Sequence, residues 1–383
     1  PTRGGPEETE PRLTMDPKPL PELDRICAAF DCPGTWVSSC PIPSGHINDT
    51  YCSEFDDGGR RVKYVNQRVN HLVFREPERL MENIERVTRY ARERIVAAGG
   101  DPERGTLTIV PARDGRTYHL TPDGNYWRMF RYIGGARTYD RVEDIRHVYS
   151  ASKAFGEFQK MVATLPGGRL HETIPDFHHT RKRFAAFREA LARDVSGRAA
   201  GVGPEIAFVL EREKDTGVVV DGLASGLIPE RVTHNDTKLN NVMIDDRTGE
   251  GVCVIDLDTV MPGSVLYDFG DSVRLGAATA AEDERDLARV GFDLGLFDRL
   301  AAGYLDATRG FLVPAETERL AFSAKLLTLE CGIRFLTDHL KGDVYFKIRR
   351  EGHNLDRART QFKMVAEMER RMPEMEAVVR EYL

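Results

Sequence analysis

The residues best suited by type and spacing to do chemistry lie between Val232 and Asp258. The stretch reads Val-Thr-His-Asn-Asp-Thr-Lys-Leu-Asn-Asn-Val-Met-Ile-Asp-Asp, and then Val-Cys-Val-Ile-Asp-Leu-Asp. His234, Asp236 and Asn241 have the spacing H-x-D-x-x-x-x-N, and Asp256 follows the apolar run Val252–Ile255. A hairpin loop would use Asn and Asp for turn chemistry, which accounts for Asn240 or Asp246. It does not account for His234, Asp236, Lys238, Asn241 and Asp256 together. Phosphoryl transfer does, because it needs a carboxylate at the acceptor hydroxyl and a divalent metal on the nucleotide phosphates. Magnesium takes oxygen ligands. Asp236 is then the expected base, and Asn241 and Asp256 are the expected metal ligands. Lys238 lies where an ammonium meets the γ-phosphate, and His234 braces the loop.

These residues need elements to hold them. Apolar strands flank the polar loop within Val232–Val260. Upstream, Trp36–Asn70 reads as strands around an Asp57-Gly58-Gly59 turn, a hairpin signal. Pro77 opens a segment in which Leu80, Ile84, Val87 and Ala91 recur at helical spacing, ending near Gly99. Strands follow at Leu107–Pro111 and Tyr126–Ile133, and Gly134-Gly135 closes the stretch. From Arg141 onward helical patterns dominate: Val148–Met161, Thr180–Arg193, Glu282–Arg309, Glu316–Leu340 and Asn354–Tyr382. A short helix is expected at Pro21–Phe30. The implied organisation is α+β: residues 1–24 a flexible tail, 25–134 a small antiparallel-sheet lobe with one main helix, and 135–383 a larger, mainly helical lobe.

The loop and its flanks resemble the aminoglycoside phosphotransferase and choline kinase group, the small-molecule branch of the two-lobe protein-kinase-like fold. A protein-kinase loop has arginine where this chain has Asn235. Its metal-binding Asp precedes Phe-Gly, where this chain has Leu257-Asp258. A closer resemblance runs from about Ser44 to Glu369. Its strings are SGHINDTY (44–51), HNDTKLNNVMID (234–245), VIDLDTVMPGSVLYDFGDSVR (254–274), DVYF (343–346) and HNLDRARTQ (353–361). These look like the N-acetylhexosamine 1-kinases, which phosphorylate the anomeric hydroxyl of GlcNAc or GalNAc with ATP and Mg2+.

That resemblance implies a phosphate-covering loop in which Gly45 and Asn48 face the nucleotide. A cation on the strand Val62–Val69 should reach the phosphates. Lys63 and Arg68 cannot share a strand face without a bulge, and likeness to choline kinases favours Arg68. A helix carboxylate, Glu82 or else Glu85, should orient it. Adenine should meet the backbone of Arg131, Tyr132 and Ile133. His46, Arg334 and Tyr345 should join Asp236 on the sugar. Asp268 and Asp271 are expected to brace the loop, and Asp258 to support the metal site or hold a second metal.

Composition agrees with a globular protein. Charged residues are 30% and the formal net charge is −7, which argues against broad binding to nucleic acid or an anionic membrane. The 43 arginines against 11 lysines make Lys238 conspicuous. No apolar run reaches membrane-span length, and Pro1–Asp24 lacks a signal-like apolar core. Cys27, Cys32, Cys40 and Cys52, with His46 among them, invite a zinc reading. No tight Cys-x-x-Cys or His-x-x-x-His knuckle is present, which favours thiols. A cytoplasmic enzyme follows as the default, a monomer whose partners are a nucleotide and a small sugar. Two rivals remain: the same kinase acting on an amino alcohol, aminoglycoside or other sugar, and a nucleotide-binding module without turnover.

Overall fold

The computed structural model describes residues 22–43 and 47–383. The expectations for most of the N-terminal tail and for Ser44, Gly45 and His46 lie outside the described residues. The small lobe contains α1 (Leu23–Ala28), β1 (Thr35–Pro41), β2 (Asp49–Asp57), β3 (Arg60–Val69), α2 (Pro77–Ala97), α3 (Pro102–Gly105), β4 (Ile109–Val110), β5 (His119–Leu120) and β6 (Tyr126–Arg131). Its antiparallel sheet runs β1-β2-β3-β6-β4, with β5 also on β6. The β2–β3 turn is Gly58-Gly59, at φ +61° and +89°. Both angles are left-handed, so the tight two-residue hairpin needs residues without a Cβ. Alternation sends Tyr51, Ser53 and Phe55 inward against Trp127 and Met129.

Proline occupies the first turn of α2, where its missing N–H costs nothing. The helix buries Leu80, Met81, Ile84 and Val87 against Phe130 of the sheet and against Phe155, Phe158, Leu257 and Val260 of the large lobe. One apolar cluster therefore runs through both lobes and sets the small sheet over the chemical loops.

The large lobe comprises β7 (Ala136–Arg137), α4 (Ile145–Val162), α5 (Thr180–Arg193), α6 (Gly203–Leu210), α7 (Val218–Ala224), β8 (Arg231–Thr233), β9 (Val242–Asp245), β10 (Gly251–Val254), β11 (Met261–Gly263), α8 (Val265–Gly276), α9 (Leu294–Thr308), α10 (Pro314–Thr317), α11 (Leu320–Lys341) and α12 (His353–Tyr382). β10-β9-β7 form one small sheet and β11-β8 a two-stranded ribbon. Helices α4 and α9 cross where a Cβ on Gly303 would lie 2.3 Å from the Tyr149 carbonyl oxygen, so glycine permits the approach.

Two expectations shift, at the tail and in the segment before α9. The tail expected to reach Asp24 ends earlier, because Leu23 is wholly buried in the small-lobe core. The chain leaves β6 at Arg131 and joins the large-lobe sheet at Ala136. The helix expected over Glu282–Arg309 forms only from Leu294. The segment before it is held irregular by tertiary partners: Asp283 accepts from Arg350 (3.3 Å) and pairs with His353 (2.9 Å), and the Phe292 N–H meets Glu367 (2.9 Å).

Candidate active site

Strand β8 ends by delivering His234, Asn235 and Asp236 into the cleft. Asn235 takes φ +64°, a left-handed turn that Asn tolerates better than most residues. Helix α8 fixes this turn. Buried Asp268 accepts the His234 N–H (2.8 Å) and the Asn235 N–H (2.6 Å), and Gln159 donates to the same carboxylate. One turn on, Asp271 accepts the Thr237 N–H (3.1 Å) and holds Arg274 through Nε and Nη2. Both α8 carboxylates are thus consumed by the loop backbone, the bracing expected of them. His234 lies beneath the loop, edge-on to Phe155. Its Nδ1 accepts the Asp236 N–H (3.3 Å), so its Nε2 carries the proton it donates to the Ile255 carbonyl (2.9 Å).

Asp236, Lys238, Asn241 and Asp256 converge. Lys238 Nζ lies 2.9 Å from Asp236 Oδ2. The Asn241 side-chain amide donates to the Asp236 carbonyl (2.7 Å) and to its carboxylate (3.1 Å). With Nδ2 committed, Asn241 keeps its Oδ1 as the remaining side-chain acceptor. The Ile255 N–H binds the Asn241 carbonyl (2.9 Å), so the two expected metal ligands are tied through one backbone bond. Burial works against the charge on Asp236. The Lys238 ammonium, with help from the Asn241 amide, more than offsets it and holds the carboxyl below its ordinary value. Asp256, at φ +57°, is pushed up to about 6 by burial and by the carboxylates of Asp258 and Asp236. A crowded set of oxygen donors with raised affinity for positive charge is a good host for a divalent cation. No group of three or more His, Cys, Asp or Glu with metal-ligand geometry occurs among the described residues, and all six cysteines are free.

The small-lobe side differs from expectation. Arg68 is buried and pairs through Nε (2.8 Å) and Nη2 with Asp49, its direct cross-strand neighbour. The carboxylate paired with Arg68 therefore lies on β2, not on α2 as expected. Glu82 meets His171 instead (2.9 Å) and Glu85 meets Arg89 (3.7 Å), so neither reaches Arg68. Lys63 pairs with Glu54 (3.0 Å) on the exposed face. Asn48 bridges the lobes: its Oδ1 accepts the Asn70 N–H (2.9 Å) and its Nδ2 donates to Asp258 Oδ2 (2.6 Å). Asp258 in turn forms an almost wholly buried ion pair with Arg128 (2.5 Å), which also donates to Gln67 (2.9 Å). Arg128 was missed at the sequence level. An arginine in an apolar strand, Trp127-Arg128-Met129-Phe130, was the available signal. At the strand end, the Ile133 N–H and C=O enter no backbone hydrogen bond among the described residues.

Arg334 and Tyr345, the residues expected on the acceptor side, come from α11 and the loop after it. Arg334 lies over Phe177 (5.8 Å to the ring centroid) and Phe346 (5.5 Å), and it has no carboxylate within ion-pair distance among the described residues. Tyr345 is 42% exposed, and its ring packs edge-on against Phe346. The backbone N–H groups of Val344, Tyr345 and Phe346 converge on Asp338 (3.0, 2.8 and 2.9 Å). Asn354 Nδ2 reaches both Asp338 and Asp343 (2.8 Å each), which explains why the strings 343–346 and 353–361 act as one structural unit.

Comparison with known proteins gives the family and the fold. Residues 39–310 match the model of a phosphotransferase enzyme family. Among solved structures, a microcompartment-associated aminopropanol kinase aligns at 17% identity and TM-score 0.53, covering 94% of this chain and 99% of that one. Spectinomycin phosphotransferase, in complex with ADP and spectinomycin, aligns at 10% and 0.55, covering 96% and 100%. Choline kinase from Cryptosporidium parvum aligns at 14% and 0.54, covering 93% and 96%. At these identities the likeness establishes the fold: a protein-kinase-like α+β architecture.

Proposed function

The chain belongs to the phosphotransferase enzyme family, and from that premise we propose that it transfers the γ-phosphate of ATP to a sugar hydroxyl, the anomeric 1-hydroxyl of an N-acetylhexosamine. The observation that carries the reading is the Asp236–Lys238–Asn241 cluster on a loop whose backbone is clamped by Asp268 and Asp271. Asp236, kept ionised, accepts the hydrogen bond of the acceptor hydroxyl, orients its oxygen toward phosphorus and takes the proton as the new O–P bond forms and the γ-phosphorus–oxygen bond breaks, with ADP leaving. Lys238 lies beside that carboxylate, where an ammonium favours charge developing on the transferred group. Asn241 Oδ1 and Asp256 are the donors that would hold magnesium, which would supply positive charge to offset the negative charge of the nucleotide phosphates. Two protein ligands suffice, since magnesium keeps waters and phosphate oxygens. The unbonded backbone of Ile133 suits adenine.

Charge supports the acceptor reading. A cationic acceptor needs free acidic walls. Two acids of the large lobe, Glu282 and Asp283, are already engaged: Glu282 with Arg274 (3.0 Å), and Asp283 with Arg350 and His353. Arg334, flanked by two aromatic rings, instead offers hydrogen-bond donors to hydroxyl and carbonyl oxygens. This supports a neutral sugar over an amino alcohol or an aminoglycoside. An inactive binding module is disfavoured because Asp236, Asn241 and Asp256 are all in place. An ADP-release assay over GlcNAc, GalNAc, glucosamine, choline and an aminoglycoside tests the reading. Stimulation by the N-acetylated sugars supports it, and stimulation by the amines alone refutes it.

A further inference from the structure

One peptide unit of the loop is gripped from both sides. The Asn235–Asp236 peptide accepts from His178 Nε2 at its carbonyl (3.1 Å) and donates its N–H to His234 Nδ1 (3.3 Å). The two rings hold different charge states, which follows from their hydrogen bonds with Glu330 ionised. His234 accepts with one nitrogen and donates with the other, so it is neutral. His178 meets only acceptors: the Asn235 carbonyl and, at Nδ1, the Glu330 carboxylate (3.0 Å). Both of its nitrogens therefore carry hydrogen, which makes it an imidazolium.

The surroundings agree. The ring is buried between Phe177 (4.6 Å) and Tyr267 (5.2 Å). Burial disfavours its charge, but Glu330 and then Asp271 outweigh that and raise its pKa. Glu330 is likewise held below its ordinary value, against burial, by His178, Arg334 and Arg183. Glu330 Oε2 is buried without a hydrogen-bond partner, so His178 at Oε1 supplies the hydrogen bond this carboxylate makes among the described residues. Glu330 stands one turn before Arg334 on α11.

We propose that His178 is a positioning residue that ties the acceptor-side face of α11 to the peptide immediately preceding Asp236, coupling acceptor seating to the orientation of that carboxylate. The proposal rests on reading Asp236 as the group that meets the acceptor hydroxyl. Removing His178 leaves the peptide held by His234 alone and strands Glu330. Neither change touches the nucleotide side.

Two measurements test it. Histidine-selective 15N NMR of the whole chain, with the His178 signal assigned by its loss in His178→Gln, should show both ring nitrogens protonated at pH 7. A neutral ring there overturns the proposal whatever the enzyme phosphorylates. Steady-state kinetics on the best acceptor of the panel should show kcat lower by roughly ten- to a hundredfold in His178→Gln and Glu330→Gln, the range for losing a charge-assisted hydrogen bond. Acceptor KM should rise while ATP KM stays within roughly twofold. The raised His178 pKa makes the clamp complete at low pH and lost as pH rises through that value. Glu330→Gln should therefore move the alkaline limb of kcat downward and leave the acid limb in place. Wild-type kcat in both folded variants overturns the coupling. If the wild type turns over no acceptor on the panel, the functional reading fails while the NMR result still decides the clamp.

Discussion

Arg128→Met should destabilise the protein far more than loss of a surface charge. The Arg128–Asp258 pair lies at 2.5 Å with side chains 1% and 3% exposed, so solvent screening is negligible. Removing the guanidinium leaves the Asp258 carboxylate buried with the Asn48 amide as its remaining side-chain donor. It also leaves Gln67 Oε1 without the Arg128 Nε–H. Breaking a buried pair from one side costs about 3–5 kcal/mol, because an uncompensated charge stays behind. Replacing both ends removes that penalty, so Arg128→Met combined with Asp258→Asn should be more stable than Arg128→Met alone. The corresponding cycle should give a coupling energy of about 1–3 kcal/mol. Guanidinium titrations of the wild type, the single variants and the double variant measure it. The network also fixes Asn48, so ATP KM should rise in Arg128→Met while acceptor KM changes little. An Arg128→Met variant within about 1 kcal/mol of wild type, or strictly additive singles, would refute the reasoning.

Asp236→Asn should lower kcat by roughly a hundred- to ten-thousandfold, the usual contribution of a positioned general base, with ATP affinity by calorimetry retained. Lys238→Met removes the ammonium that holds the Asp236 carboxyl below its ordinary value. Asp236 then protonates at higher pH, so the acid limb of the kcat profile should move upward. Arg334→Leu should raise acceptor KM by roughly tenfold or more and leave ATP KM in place, as loss of an acceptor hydrogen bond predicts. Gly303→Ala places a methyl 2.3 Å from the Tyr149 carbonyl. It should cost about 1–3 kcal/mol as an overpacked helix crossing, read as a lower melting temperature with unchanged KM values.

The chemical loop was legible because its signal is local. The spacing of His234, Asp236 and Asn241, and the apolar run before Asp256, sit within one short stretch of chain. The Gly58-Gly59 hairpin and the Pro77 helix start were legible for the same reason, since each follows from the backbone demands of one or two residues. The partners of those elements were not. Arg68 finds its carboxylate on β2 through strand register, and Glu82 faces His171 because of how α2 lies on the large lobe; neither orientation is written in helix or strand periodicity. Arg128 and Asp258 are far apart in the chain, as are His178 and Glu330, and only the folded core brings each pair together. The stretch from Glu282 had helical spacing in the sequence. Its competing bonds to Arg350, His353 and Glu367 come from α12 and the residues just before it.

The central claim concerns which atom receives the phosphate. The protein incubated with ATP, magnesium and GlcNAc or GalNAc should yield a product whose 31P resonance couples to the anomeric proton of the sugar, and Asp236→Asn should yield none above background. Phosphate on a ring hydroxyl other than O1, or phosphorylation of choline or an aminoglycoside with both N-acetylhexosamines left untouched, would contradict the account.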